Sequence, residues 1–302
     1  MMVVDRLNGI IEHKNFTDIT GYLSPGDCLV LNDTKVLPCR IKGRRRTGGR
    51  VEIFLLARIR GNVFKALLKP GRLKAGEKII LGREGITATI ISRNEVSFNT
   101  ADAKKIYSLG AMPLPPYIKR EAVASDNEDY QTVYARKAGA VASPTAGLHF
   151  TKELLSKIKK AGINPVYLTL HVGLGTFKPV KSEDITRHKM EPERFEIPVQ
   201  ALRRIKEARR SKTKVFAVGT TSLRALESYA RGNKSGSTSL FIYPGFKFKL
   251  TDGLLTNFHL PRTTLFMLVS AFGGEKLMKR AYKEAVDKEY RFYSYGDAML
   301  IL

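Results

Sequence analysis

Three of the chain's 5 histidines, His149, His171 and His259, stand in short connections rich in Gly, Pro and Thr, where an imidazole can donate, accept or transfer a proton. In VASPTAGLHFTKE, Pro144 and Gly147 hold a polar loop, and His149 lies just before Thr151, which has the position of a helix N-cap. In LTLHVGLGTFKPV, His171 ends an apolar strand pattern, and Gly173 and Gly175 permit close backbone approach to a ligand. In LTDGLLTNFHLPRTTLFMLVSAF, Asp252, Asn257, His259 and Arg262 share one connection, a dense set of proton-transfer and anion-binding groups. A fourth device is KVFAVGTTSLRALES. An apolar strand reaches Gly219 and a helix opens under Thr220, Thr221 and Ser222, with Arg224 one turn in. Helix N-termini offer unpaired N–H groups and a partial positive charge, which suit a carboxylate or a phosphate.

Each device also has a plainer reading. A loop histidine can be scaffold, Thr221 or Ser222 can simply cap its helix, and Pro261 is ordinary near a helix start. Tyr293, Tyr295 and Asp297 in RFYSYGDAML fit aromatic packing, with base stacking as the alternative. No HExxH or HxH spacing supports a metal, and Cys28 and Cys39 form neither a CxxC nor a disulfide framework. The chain has no GxGxxG and no GxxxxGK[ST].

These groups need elements to position them. Residues 22–41 read as strand, polar turn at Asn32-Asp33, and strand. The runs VEIFLLARI, NVFKALLK, EKIILG and GITATIIS, separated by Gly-containing turns, suggest a small barrel or sandwich. The prolines of MPLPPYI (112–118) cannot continue a helix or a central strand and read as a hinge. Beyond residue 129 helices alternate with short strands. The spacing predicts helices over 152–161, 201–210, 222–230, 265–271 and 276–287, with strands PVYLTLHV and 215–218 between them and a polar loop at 231–239. That alternation argues for an α/β domain.

The 52 Lys and Arg against 28 Asp and Glu leave a net charge of +24, which attracts polyanions. RNA, DNA and an anionic membrane all fit, as does a merely solvated basic surface. The excess is patchy: residues 40–60 carry 8 basic groups against Glu52 alone, and residues 203–214 carry 7 against Glu207 alone. The hydrophobic fraction of 43% excludes a disordered chain. No run of about 18 apolar residues could span a bilayer, and MMVVDRLNG lacks the apolar core of a signal peptide, so a cytoplasmic protein is expected.

Taken together, LNDTKVLP (31–38), SPTAGLHFT (143–151), LHVGLGTFKPV (170–180), AVGTTSLRALES (217–228), TDGLLTNFHLPRTTLFMLVSAF (251–272) and YRFYSYGDAML (290–300) closely resemble the S-adenosylmethionine:tRNA ribosyltransferase-isomerase family over nearly the whole chain. The resemblance implies a step of queuosine synthesis. The ribosyl part of S-adenosylmethionine moves onto the aminomethyl group of a 7-deazaguanine at the tRNA wobble position, leaving epoxyqueuosine and releasing adenine and methionine. S-adenosylmethionine is then a consumed co-substrate, and no other cofactor is expected. The implied fold is an α/β catalytic domain, discontinuous in sequence (1–38 and 113–302), with an inserted small antiparallel β-barrel domain at 39–112. Two departures stand out. The family commonly has an acidic segment before the part matching VVDRLNGIIEHKNF, and Glu191 stands where a second histidine is common, although His188, Met190 and Glu193 fit.

This chemistry calls for a base near the sulfonium, a donor to the departing adenine and a clamp on the methionyl carboxylate. The expected assignments are Gly219, Thr220, Thr221 and Arg224 on an anionic group, and His149, His171 and His259 in proton transfer. Asp252 and Asn257 would orient the histidines, and Arg262 would join the substrate site. Arg44, Arg45, Arg46, Arg203, Arg204 and Arg210 would hold tRNA phosphates, while the splayed bases of the anticodon loop supply sequence choice. A monomer, without membrane, is expected. The rivals are a methyltransferase-type RNA-modifying enzyme, which would release S-adenosylhomocysteine instead of adenine, and a nonenzymatic RNA-binding protein, which would lose little on substitution of Arg224.

Overall fold

A computed structural model describes residues 1–82, 85–173, 185, 188, 190–234 and 236–302. Two compact units are present. One comprises Met1–Thr34, Thr132–Lys137 and Ser143–Leu302, and the other, inserted into it, comprises Lys35–Gln131 and Ala138–Ala142. The chain thus adopts the α/β class with an inserted antiparallel barrel.

The inserted unit is wider than the 39–112 stretch read from the sequence, because the residues after the prolines have partners of their own. Arg120 clamps the buried Asp126 carboxylate through two bonds of 2.6 and 2.7 Å. The Gln131 amide bonds both backbone groups of Val36, at 3.0 and 2.8 Å. The barrel consists of strands Arg40–Arg45, Arg50–Arg60, Val63–Lys69, Glu95–Phe98, Ile86–Ser92 and Lys78–Leu81 in that spatial order, and Arg40–Arg45 closes it by pairing with Lys78–Leu81. Strict alternation of burial in VFKALLK shows how the period-2 pattern fills the interior.

The larger unit is built on a sheet that has nine strands among the described residues. Four neighbouring strands run parallel in the order Asn164–Leu170, Cys28–Asn32, Val215–Val218 and Gly253–Asn257. The last three are buried at every position, which explains why they read as continuous apolar runs instead of alternating. Ala298–Ile301 pairs antiparallel with Gly253–Asn257 and parallel with Met2–Asp5, which brings the C-terminal block beside the central strands. The helix Val199–Arg210 buries Ala201, Ile205 and Ala208 on one face and turns its arginines outward.

Several elements differ locally from the sequence expectation. The central helix begins at Gly219, not 222, because Gly219 takes φ +86° and turns the chain directly from strand into helix. The 231–239 loop contains the edge strand Gly236–Thr238, held by Glu193–Glu196. Ser235, residues 174–184 (with Gly175), Arg187 and Lys189 lie outside the described residues.

Gly253 has a steric reason. It stands in register with Phe216, and an added Cβ would lie 2.3 Å from that ring. Gly253→Ala should cost about 1 to 3 kcal/mol through overpacking. Urea unfolding would show this as a lower midpoint at unchanged m-value.

Candidate active site

The carboxyl ends of the four parallel strands carry the polar motifs side by side. His171 follows Leu170, Asn32 ends the next strand, Gly219 follows Val218, and Asn257 ends the fourth. Parallel α/β sheets form their ligand crevice at this edge, since helix N-termini and loops gather there.

Asn32 is buried and behaves as one more rung of the ladder. Its Nδ2 donates to the Leu170 carbonyl at 2.9 Å and to Thr221 Oγ1 at 3.2 Å, while its Oδ1 accepts from Leu170 N–H at 2.9 Å and Thr34 N–H at 3.2 Å. Asp33 accepts from the Thr169 hydroxyl at 2.5 Å and from Arg136 at 2.9 Å. Thr34 Oγ1 lies 2.8 Å from His171 Nδ1 and 3.5 Å from the Lys137 carbonyl. Either atom of the 2.8 Å contact can be the donor, since a hydroxyl both donates and accepts. With the ring proton on Nδ1, the His171 lone pair lies on Nε2. Burial, with Arg194 adding to it, lowers the His171 imidazole below its ordinary value, so the ring is neutral near pH 7.

The helix Gly219–Tyr229 has no side-chain cap. Thr221, one of the expected caps, instead accepts from Asn32, so among the described residues no side chain covers the first N–H groups. Arg224 differs from the expected anion clamp. It is 3% exposed, its Nη1 bonds the buried Glu193 carboxylate and its Nε donates to the Leu240 carbonyl at 3.0 Å. Glu193 also accepts from Gly173 N–H at 2.9 Å, so the pair ties the residue after Val172 to the helix. Arg224 therefore braces the site. Its substitution strands a buried carboxylate and cannot by itself separate an enzyme from a binder.

His149 ends the 3-10 turn Thr145–His149 and stacks on Phe16, with ring centroids 5.0 Å apart and an interplanar angle of 28°. Its Nε2 lies 3.3 Å from Asn257 Nδ2, whose other hydrogen goes to the Tyr293 carbonyl at 3.1 Å. A cavity of about 360 Å3 opens beside it, lined by Asn15, Phe16, His149, Arg291, Tyr295 and Asp297 among others. Tyr293 holds φ +75°, an uncommon conformation for a residue with a side chain, and turns the chain so that its carbonyl meets Asn257. Burial pushes His149 down to about 4, although Asp297 pulls the other way. His259 is also pushed to about 4 by burial. Its Nε2 meets Thr256 Oγ1 at 2.8 Å, and the His259 backbone N–H donates to Tyr282 Oη at 3.0 Å.

Other expected residues lie elsewhere. Asp252 precedes the Gly253–Asn257 strand, at the opposite end from Asn257. Both its oxygens accept from Arg209 at 2.8 Å, and Oδ2 also accepts from Val215 N–H at 2.8 Å. It fastens strand to helix and does not orient the histidines. Arg262 is exposed at φ +62° in the connection before the helix Thr264–Gly273. Sequence reasoning missed Phe16 and Thr34. Only the polar interruption NDT in an apolar strand hinted at the latter.

In the barrel, Lys42, Arg44, Arg45, Arg50 and Lys69 line a cavity of about 980 Å3 together with Glu52. Arg45 is paired with Glu77 at 2.7 Å, whereas Arg44, Arg46 and Arg50 form no ion pair among the described residues. On the helix Val199–Arg210, Arg203, Arg204 and Arg210 are exposed, with Arg204 3.1 Å from Glu207. Among the described residues no group of three His, Cys, Asp or Glu could hold a metal ion, and no helix is long and apolar enough to cross a membrane.

The depressed histidines make stability depend on pH. Below about 6.5 the unfolded chain takes up protons that His149 and His259 refuse until about 4. Stability therefore falls as pH drops from 6.5 to 5, above the carboxylate range, with at most about 1.4 kcal/mol per pH unit from each histidine. His259→Gln keeps an amide for Thr256 and should flatten this slope in urea titrations. A slope unchanged by the substitution contradicts the assignment.

The queuosine biosynthesis protein family model matches residues 1–301. The S-adenosylmethionine:tRNA ribosyltransferase-isomerase of Sulfurihydrogenibium sp. is 52% identical across 100% of this chain and 92% of its own length. The protein of the same name from Thermoanaerobacter sp. is 50% identical with the same coverage. The crystal structure of the S-adenosylmethionine tRNA ribosyltransferase of Thermotoga maritima superposes with a TM-score of 0.57 at 38% identity, covering 100% of this chain and 91% of that one. Matched from end to end, the chain belongs to the queuosine biosynthesis protein family.

Proposed function

We propose that this protein is a transferase-isomerase that moves the ribosyl group of S-adenosylmethionine onto the 7-aminomethyl-7-deazaguanine at the wobble position of tRNA, giving epoxyqueuosine and releasing adenine and methionine. The observation that carries the reading is that the chain matches relatives of that name over its whole length, while its polar motifs come together at the carboxyl edge of the parallel strands. His171, neutral and with its Nε2 lone pair directed away from Thr34, takes the proton next to the sulfonium. The first turn at Gly219, Thr220 and Thr221, without a side-chain cap among the described residues, receives the methionyl carboxylate. Asn257 and His149 serve the departing adenine from the neighbouring strand end. S-adenosylmethionine is consumed, and the chemistry requires no further cofactor.

The tRNA backbone meets the basic cavity of the barrel, through Lys42, Arg44, Arg50 and Lys69, and the outer arginines of the helix Val199–Arg210. Phosphate contacts supply affinity and little sequence choice. A tRNA substrate fits a cytoplasmic protein.

Incubation with S-adenosylmethionine and tRNA bearing the deazaguanine precursor should release free adenine, and His171→Ala should slow single-turnover release by about 100-fold or more. Accumulation of S-adenosylhomocysteine would point to methyl transfer and overturn the reading. The tRNA association constant should fall steeply with salt, with a log–log slope of roughly −0.7 to −0.9 per phosphate neutralised. Arg44→Glu with Arg50→Glu should make that slope shallower, while a salt-independent affinity would remove the basic cavity from the tRNA site.

A further inference from the structure

The Asn257 amide fixes a property of His149 that distances alone leave open. Its Nδ2 faces the Tyr293 carbonyl at 3.1 Å, and a carbonyl accepts only, so the nitrogen and not the oxygen must point there. The same nitrogen's second hydrogen is directed at His149 Nε2, 3.3 Å away. Nε2 must then carry the lone pair, and the ring proton belongs to Nδ1. Nδ1 makes no hydrogen bond with the described residues, and the ring lines the cavity that Asp297 also lines. The pocket thus presents a ring N–H and a carboxylate. Asp297 Oδ2 accepts from the Arg291 backbone N–H at 2.8 Å and Oδ1 lies 3.4 Å from the Arg291 guanidinium, which leaves acceptor capacity on a group with about four lone-pair sites.

We propose that this cavity is an adenine site, in which the Nδ1–H of His149 donates to N7 of the purine and the Asp297 carboxylate accepts from its 6-amino group. An adenine ring carries an acceptor at N7 beside a donor at N6, whereas guanine carries acceptors at both positions and would set its O6 against the carboxylate. At about 360 Å3 the cavity falls within the range of small-molecule sites, roughly 300 to 1,000 Å3. Its aromatic lining suits a planar ring. Phe16 is already held by the His149 stack, and Tyr295, 40% exposed, borders the same space. Burial keeps His149 neutral near pH 7, so the ring has a single N–H to give, while Arg291 holds the Asp297 carboxyl ionised against the opposing effect of its own burial. A hydrogen bond from Nδ1–H to N7 strengthens as negative charge develops on the purine during loss of the ribosyl group, so the same contact would favour departure. Asn257 acts here as a positioning residue, through His149.

The assignment rests on the reading that S-adenosylmethionine is the ribosyl donor, and binding of the bare purines tests it apart from turnover. Calorimetry with adenine, 7-deazaadenine, hypoxanthine and guanine should show adenine bound at least about 10-fold tighter than each of the others, since each lacks one partner or presents the wrong one. His149→Phe, which keeps the stack on Phe16 without the N–H, should bind adenine and 7-deazaadenine equally. Long-range proton–nitrogen spectra of the native protein should show His149 protonated at Nδ1, and Asn257→Asp should move that proton to Nε2. Equal binding of adenine and 7-deazaadenine by the native protein, tighter binding of guanine, no adenine binding at millimolar concentration, or a native His149 protonated at Nε2 would each overturn the site. If the native protein releases adenine from S-adenosylmethionine but does not discriminate among the purines, the site assignment alone fails. If it discriminates but releases none, the adenine site stands and the ribosyl-transfer reading fails.

Discussion

The side-chain amide of Asn32 sits where two parallel strands part, and it extends their ladder after the backbone has turned away. It satisfies both backbone groups of Leu170 and the N–H of Thr34, and reaches Thr221 in the first turn of the next helix. Three loops thereby take their register from one buried side chain: the one that starts His171, the one that carries Thr34 to the His171 ring, and the turn at Gly219. An apolar residue at position 32 would leave buried donors and acceptors unmatched, each costing about 1 to 3 kcal/mol, and the loops would lose their common reference.

From that edge the two sides of the site acquire opposite chemistry from the same residue type. His171 meets a hydroxyl at Nδ1, and His149 meets an amide that donates to Nε2. Both rings are held neutral by burial, so His149 offers an N–H, while His171 offers a lone pair at Nε2 when its proton rests on Nδ1. The buried amide assigns the His149 proton before any substrate arrives, the kind of preorganisation that lowers the reorganisation needed during reaction. Arg224 and Glu193 contribute from behind by holding the backbone at Gly173.

Much of this was legible in the sequence. Apolar runs such as VFAV and CLVLN marked strands, short β-rich runs separated by Gly-containing turns marked a small barrel or sandwich, and Thr151 caps its helix through Leu154 N–H at 3.1 Å as its position implied. What stayed hidden was long-range pairing. Nothing local in TDGLLTNF tells that Asp252, just before the strand, pairs with Arg209, while Asn257, at its far end, meets His149. Likewise Arg224, one turn into a helix, looks like a clamp until Glu193 is brought to it from 31 residues away. Partner choice at such distances is set by tertiary packing, which spacing does not encode.

The central claim is that chemistry occupies the carboxyl ends of the parallel strands, and the two ends of Gly253–Asn257 test it within a single element. Single-turnover adenine release on precursor tRNA should drop by about 100-fold or more in Asn257→Ala, where the His149 proton loses its anchor, and should stay within about 3-fold of native in Asp252→Asn. The reverse pattern, with Asp252→Asn crippled and Asn257→Ala unimpaired, would place the reaction at the other edge of the sheet and contradict the account.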